Sequence, residues 1–173
     1  MRWIRLLSAL LAAKYRSRLD VTGISVINFR VWPLDIDASI MNHASLMTVM
    51  ELGRIDFMVR SGFFALARKK KWYFPSAGIS VQFIRPLKPF QTAQVHTRVF
   101  HVNESWIYLE QKVVRERKTM AVCIVKSKVK KGRDTVNTNE ILKELNISAF
   151  PVEGRELIEY YEKENGMMME RLV

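Results

Sequence analysis

The spacing of apolar residues changes rhythm along this chain, and each change marks a change of element. Residues 1–20 carry the apolar run Leu6 to Ala13, with Arg2, Arg5, Lys14, Arg16 and Arg18 around it. The cluster Lys14-Tyr15-Arg16-Ser17-Arg18 stands where a cleavable leader needs small neutral residues, so the run predicts a retained, basic amphipathic helix. Such a helix either packs on the body or lies on an anionic membrane surface, where Trp3, Ile4 and Leu7 meet lipid. From Ile24 to Trp32 β-branched and aromatic residues dominate until Pro33, which reads as a strand. Leu34 to Asn42 has no period and is read as irregular. Ala44 to Arg60 then holds no Gly or Pro except Gly53. Leu46, Met50 and Phe57 form one stripe there, and Leu52, Ile55 and Val59 form another. A helix apolar on nearly every face is a buried helix, wrapped by something. Ser61-Gly62 ends it.

Phe63 to Lys71 reads as a short helix closing in the basic run Arg68 to Lys71. After Pro75 the period becomes two. Ile79 to Ile84, Gln94 to Val102, Trp106 to Val114 and Met120 to Val129 read as strands. Their breaks carry turn chemistry at Pro86 and Pro89, at Asn103-Glu104-Ser105 and at Arg115-Glu116-Arg117-Lys118. Successive strands with short turns predict an antiparallel meander. Beyond Thr138 the chain is polar, with helical pieces over 140–145 and 153–164. One strand, one wrapped helix and four strands make an α+β chain. The arrangement that satisfies this order with the fewest assumptions is the hotdog fold, a curved antiparallel sheet wrapped around one long central helix. The chain divides into a basic amphipathic helix (1–20), a hotdog domain (21–135) and an acidic, partly helical C-terminal extension (136–173).

Composition changes this picture only where charge and sulfur enter. With 173 residues, 49% hydrophobic and 26% charged, the chain is long enough for one real core and too apolar to be disordered. The single cysteine, Cys123, excludes an intramolecular disulfide framework and a multi-cysteine zinc site, and its place in an alternating strand reads as packing. His96 and His101 have no partner at ligand spacing, so no metal and no cofactor is assigned. The net charge of +11 is uneven: up to Arg133 there are 24 basic and 8 acidic residues, and beyond it 4 basic and 9 acidic. A basic body attracts phosphates, whether of nucleic acid, anionic lipid or a phosphorylated cofactor. Trp106 and Tyr108 interleave with Lys112 and Arg115, yet no nucleic-acid motif is present, and nucleic acid is not assigned as a partner.

The chemistry concentrates in Asp35-Ile36-Asp37-Ala38-Ser39-Ile40-Met41-Asn42-His43-Ala44-Ser45. Two carboxylates, an amide and an imidazole crowd just before a buried helix, whose first turn offers unpaired N–H groups and the positive end of its dipole. Such a place stabilises an oxyanion, and a nearby carboxylate serves as general base or nucleophile. The same letters also read as plain capping, with Asn42 or Asp37 as N-cap and His43 as a first-turn residue. Glu51 lies three residues before Arg54, a spacing for a helix ion pair, with a catalytic role as the other reading.

Trp32-Pro33-Leu34-Asp35-Ile36-Asp37, Met41-Asn42-His43-Ala44 and Met50-Glu51-Leu52-Gly53-Arg54 resemble the 4-hydroxybenzoyl-CoA thioesterase-like hotdog family. Within it, the segments Ser80 to Phe90 and Trp106 to Gln111 are similar to the thioesterase superfamily member six-like branch of acyl-CoA thioesterases. The resemblance runs from about Ile24 to Arg133. It implies that Asp37, the second acid of D-x-D, is the catalytic acid, and that His43 of His43-Ala44-Ser45 takes part as in members reading H-A-S. Members of this branch read D-x-D-x-x-x-H-M-N-N-A; here the stretch is one residue shorter, lacks the histidine before Met41 and has His43 where the second Asn belongs.

The function expected on these grounds is hydrolysis of an acyl-CoA thioester to free acid and CoA. Asp37 activates water or attacks the carbonyl, N–H groups near His43 and Ala44 hold the oxyanion, and Asn42 or His43 orients the thioester or water. Arg115 and Lys118 are the candidates for the CoA phosphates, and Met47, Met50, Phe57 or Phe63 for an acyl tunnel. A hydratase–lyase on the same carrier would need His43 facing an acid across a dimer. The alternative from another class is a non-catalytic acyl-CoA or lipid-binding hotdog module at a membrane surface. Unsatisfied sheet edges predict a homodimer, or a dimer of dimers. The expected location is the cytoplasm, with peripheral contact at the inner membrane surface.

Overall fold

The computed structural model describes the backbone of residues 2–149 and 153–172, and the side chains of Ser8, of 10–149 and of 153–163. Helix α1 (Arg2–Tyr15) leads into strand β1 (Ser25–Arg30), a 3-10 turn (Pro33–Asp35) and the short strands β2 (Ile36–Asp37) and β3 (Ile40–Met41). Helices α2 (His43–Arg60) and α3 (Phe63–Lys70) follow, then β4 (Ser76–Phe83), β5 (Thr92–Val102), β6 (Ile107–Arg115) and β7 (Lys118–Ser127). The small hairpin β8 (Lys130–Lys131) and β9 (Asp134–Thr135) precedes helices α4 (Thr138–Leu145) and α5 (Arg155–Leu172).

Five strands form one antiparallel sheet in the order β1-β5-β6-β7-β4. Alternation decides its faces. In β6, Ile107, Leu109, Gln111 and Val113 are buried on the side that meets α2. Leu46, Val49, Met50 and Phe57 of α2 join Val95, Val99, Val113 and Cys123 in one core. This is the hotdog arrangement that the order of elements implied.

The expected meander holds only for β5, β6 and β7. Strand β4 pairs with β7, at the far edge from β1. The reason lies in residues 84–91. Ile84 and Arg85 both donate to the Met120 carbonyl, and Pro86 and Pro89 have no N–H to close a hairpin. The chain instead crosses the end of the sheet. There the Leu87 carbonyl accepts from Met41 N (2.8 Å) and Phe90 N donates to the Val31 carbonyl (2.8 Å).

Helix α2 sits close on the sheet because residue 53 has no side chain. A Cβ there would meet Thr97 Oγ1 at 2.9 Å and Val95 Cγ1 at 3.0 Å. In the space so kept, the fully buried Gln111 donates through Nε2 to the Met50 carbonyl (2.8 Å) and to Thr97 Oγ1 (2.9 Å).

Helix α1 packs on α2. Ala13 is buried, and Arg16 Nη1 donates to Oδ1 of the buried Asp56 (2.9 Å). Asp56 Oδ2 also accepts from Ser25 Oγ (2.5 Å) and Arg60 Nη1 (3.2 Å). Arg16 Nη2 reaches the Val26 carbonyl of the edge strand β1 (2.6 Å). Leu11 and Tyr15 face outward, 59% and 84% exposed. The side chains of Arg2, Trp3, Ile4, Arg5 and Leu7 lie outside the described residues.

Helix α5 covers the outer face of the sheet. A bulge at Phe100 sets Phe100 and His101 on that side with Tyr108, which packs against Ile158 and Tyr161. Tyr108 is therefore wholly buried, and its hydroxyl donates to Glu162 Oε1 (3.0 Å). Burial first, and Glu162 second, raise its pKa above the ordinary phenol value.

Candidate active site

The two acids of the D-x-D stretch part company. Asp35 is buried, and its Oδ2 accepts from Trp32 N (2.9 Å), so it closes the 3-10 turn. Its carbonyl accepts from Asn42 N (2.8 Å), tying the turn to the start of α2. Asp37 lies instead in a small hairpin, opposite Ile40, with Ala38 at the turn in the left-handed region (φ 57°). This hairpin replaces the irregular stretch expected from Leu34 to Asn42. The Asp37 side chain is exposed and has no hydrogen bond or ion pair among the described residues.

Asn42 is the N-cap of α2. Its Oδ1 accepts from Ser45 N (2.7 Å), and its carbonyl accepts from Leu46 N (3.1 Å). Those two bonds satisfy the third and fourth amides of the helix. The first two, His43 N–H and Ala44 N–H, have no acceptor among the described residues. They form an open donor pair at the positive end of an 18-residue helix.

The His43 ring stacks on Phe83 at the end of β4, with centroids 4.0 Å apart and planes 20° apart. Phe83 lies opposite Ala121 of β7, and Arg85 Nη1 donates to the Thr119 carbonyl (2.7 Å). The turn between β6 and β7 therefore stands at the same end of the sheet, with Lys118 roughly 10 Å along β7 from Ala121. In that turn Arg115 lies opposite Lys118 and pairs with Glu116, and Glu116 and Arg117 take positive φ (49° and 63°). Asn42 and His43 thus form the α2 N-terminus, Asp37 sits on the short hairpin that leads into it, and Arg115 and Lys118 share that end of the sheet.

From this end α2 runs beside β4, from the His43–Phe83 stack to Met58 and Ser76. Positions 43, 47, 51, 54 and 58 share one helical face. Ile79, Val81 and Phe83 of β4 lie opposite buried Val125, Cys123 and Ala121, on the inner face of the sheet, and Ile79 and Phe83 remain exposed there. Toward the C-terminal end of α2 lies a cavity of about 200 Å³ walled by Phe57, Met58, Phe63 and Phe74. Glu51, Arg54, Ser76 and Ser127 add the polar part of its lining. Of the expected tunnel residues, Phe57 and Phe63 line this cavity, Met50 is fully buried in the core and Met47 is half-buried against it.

Arg54 Nη1 donates to Gln111 Oε1 (2.7 Å), so the guanidinium's hydrogen bond goes to β6 rather than to Glu51. Burial lowers the Arg54 pKa from its ordinary value, and Cys123 and Glu51 oppose that shift electrostatically. Burial likewise pushes the Cys123 thiol up to about 11, which leaves it a packing residue. The parts missed from the sequence are Gln111, the Arg54 contact and Phe83. Gln111 had a signal: it falls in phase with Ile107, Leu109 and Val113. Among the described residues no three His, Cys, Asp or Glu gather as a metal site, and no helix is long and apolar enough to cross a membrane.

Residues 31–130 match the thioesterase-like superfamily. The probable thioesterase YBR096W of Saccharomyces cerevisiae is 29% identical over 72 residues, which are 40% of this chain and 31% of that protein. The chain thus spans about a third of the length of this curated relative. The crystal structure of YbaW, a probable thioesterase from Escherichia coli, superposes with a TM-score of 0.66 at 17% identity, covering 70% of this chain and 95% of that one. The DHNA-CoA thioesterase from Staphylococcus aureus superposes with a TM-score of 0.61 at 14% identity, covering 85% and 94%. Identities this low speak for the fold alone. The family match, in contrast, runs without a break from the end of β1 to β8, taking in the Asp37 hairpin, α2 and the other four strands of the sheet. On that extent, the chain belongs to the thioesterase-like superfamily.

Proposed function

We propose that the protein is an acyl-CoA thioesterase that hydrolyses an acyl thioester to free acid and CoA. The observation that carries this reading is the pairing of an exposed, unpartnered carboxylate, Asp37, with the open His43 and Ala44 amides a few residues on. Asp37 takes a proton from water as the water oxygen attacks the carbonyl carbon. The carbonyl electrons move to oxygen, where the two amides receive them. The intermediate collapses, the C–S bond breaks, and the CoA thiolate leaves and takes up a proton. Direct attack by Asp37, through an acyl-enzyme anhydride, reaches the same products. Asn42 has only its Nδ2 donors left to orient the thioester, since Oδ1 is spent on the cap. His43 borders the reacting group, and Arg115 and Lys118 receive the CoA phosphates. No cofactor takes part, because a thioester is already an activated acyl group.

The open edge of β4, with Ile79 and Phe83 bare on its inner face, favours a homodimer whose second copy covers these side chains. A second reading, a lipid-binding module on an anionic membrane surface, is favoured by Leu11 and Tyr15 standing exposed with Lys14 on α1, and by the exposed Arg18 just beyond it. The test of the enzyme is release of CoA thiol from a panel of acyl-CoAs by wild type and Asp37→Asn. The variant should lose about two orders of magnitude in turnover, the scale of a lost general base. Equal turnover would overturn the assignment, because an exposed Asp37 that caps nothing tolerates the change.

A further inference from the structure

Two loops, residues 31–42 and 84–91, close the end of the sheet that holds the Asp37 hairpin, and backbone bonds lace them together. Val31 N donates to the Gln91 carbonyl (2.9 Å), Phe90 N to the Val31 carbonyl (2.8 Å) and Met41 N to the Leu87 carbonyl (2.8 Å). From this laced pair Trp32, Leu34 and Phe90 stand out, 47%, 69% and 54% exposed. Arg30 ties the two aromatics into one surface. Its guanidinium carbon lies 5.4 Å from the centre of the Trp32 ring and 5.7 Å from that of Phe90. Leu34 belongs to the 3-10 turn that Trp32 opens. Single exposed apolar side chains are ordinary, but three large ones gathered around a cation make a patch.

Phe90 is also held against a backbone preference. Its φ of 65° lies in the left-handed region, where a bulky side chain is rare and glycine or asparagine is usual. Packing within the fold would ordinarily offset such strain, yet more than half of this side chain meets water. The strained, exposed ring points to a contact outside the chain.

Charge decides which contact. Arg30 and Lys88 are exposed, and neither has an ion pair among the described residues. Of the acids on the two loops, Asp35 is buried in its own turn and only Asp37 reaches solvent. An apolar peptide laid on this patch would leave the cations without counter-charge. An anionic bilayer supplies both needs, since its interface takes aromatic rings at headgroup level and its phosphates take Arg and Lys. We infer that Trp32, Leu34 and Phe90, with Arg30 and Lys88, dock this end of the protein on an anionic lipid bilayer. The contact uses side chains distinct from the Leu11 and Tyr15 face of α1, and two weak membrane contacts hold where one does not. It turns the Asp37 hairpin toward the lipid.

The experiment sediments the full chain with vesicles of phosphatidylcholine alone and of phosphatidylcholine mixed with phosphatidylglycerol. Wild type should bind the mixed vesicles about tenfold more tightly than the neutral ones, and added salt should remove the difference. Phe90→Asn removes the ring and suits the left-handed backbone. Binding should then fall about tenfold, while the thermal midpoint stays or rises. Leu34→Ser should weaken binding by a similar factor. Wild type that fails to bind, or that binds both vesicles equally, overturns the inference. So does binding undiminished by Phe90→Asn and Leu34→Ser, which would leave the contact elsewhere on the chain. A thermal midpoint lowered by Phe90→Asn would show that the ring serves the fold, and a mass lowered in light scattering that it joins two copies; either refutes the lipid contact. Release of CoA thiol plays no part in these readouts, so failure of the thioesterase reading leaves them intact.

Discussion

Replacing Gly53 by alanine tests whether α2 is held against the sheet as closely as the contacts require. In an ordinary helix the change stabilises by about 1 kcal/mol, because alanine loses less backbone freedom. Here the new methyl would stand 2.9 Å from Thr97 Oγ1, 3.0 Å from Val95 Cγ1 and 3.2 Å from Gln111 Nε2. Neither Thr97 nor Val95 can swing aside, since both are β-branched on a buried strand and Thr97 Oγ1 is held by Gln111. The helix must lift by about half an ångström instead, at an overpacking cost of about 1–3 kcal/mol. Lifting also stretches the bond from Gln111 to the Met50 carbonyl, and a buried amide left without its partner costs about 1–3 kcal/mol more. The net expectation is a loss of about 2 kcal/mol, which lowers the thermal midpoint by roughly 4–8 °C in a chain of this size. Equilibrium unfolding in urea reads it directly. Adding Thr97→Ala makes room for the methyl, so the double variant should fall short of the sum of the single effects. A Gly53→Ala protein as stable as wild type would refute the close approach, and with it the reason for glycine at this position.

Three further outcomes follow from the same contacts. Light scattering at micromolar concentration should give twice the chain mass of 20.2 kDa, and a monomer there would count against pairing along β4. Vesicles with anionic lipid should retain the protein at low salt, and Leu11→Ser with Tyr15→Ser should release it without moving the thermal midpoint; failure of wild type to bind removes the lipid-surface reading. Cys123 has a folded pKa raised to about 11 from 9.0, so its contribution to stability is complete below pH 9 and is lost as pH rises through 11. Two pH units amount to about 2–3 kcal/mol. The unfolding free energy should fall over that window, and Cys123→Ala should flatten the part of the slope due to the thiol.

The long elements were legible because their periods are strong. The alternation from Thr92 to Ser127 and the apolar wrap of residues 43–60 set the strands and the central helix to within a few positions. Asn42 as N-cap was readable from its place before the first apolar turn. Strand order was not readable: two prolines after Ile84 look the same in a turn as in a crossing loop, and only the bonds to Met120, Met41 and Val31 tell them apart. Long-range polar partners were hidden for a related reason. Arg54 looked like half of a local pair with Glu51, while its partner Gln111 lies 57 residues away. Asp56 carried no signal in the sequence, because Arg16, Ser25 and Arg60 converge on it only in the fold. Around the site, the letters placed the acids and the helix start, but not which acid the fold would bury.

The two edges of the sheet are finished differently. At β1, helix α1 lies alongside and Arg16 occupies the Val26 carbonyl, whereas β4 ends the sheet with its backbone open. Addition to β1 must therefore displace Arg16 from Val26, while β4 holds no such block among the described residues. When two copies meet β4 to β4, each uses the other's open edge, and the edge left facing solvent on both sides is β1, occupied at Val26. Further strand addition then has to break the Arg16 bonds first. Arg16, just beyond the helix at the start of the chain, thus acts as a brake on polymerisation. Loosening Arg16 from Asp56 and Val26 would turn a closed pair into a chain end able to recruit further strands.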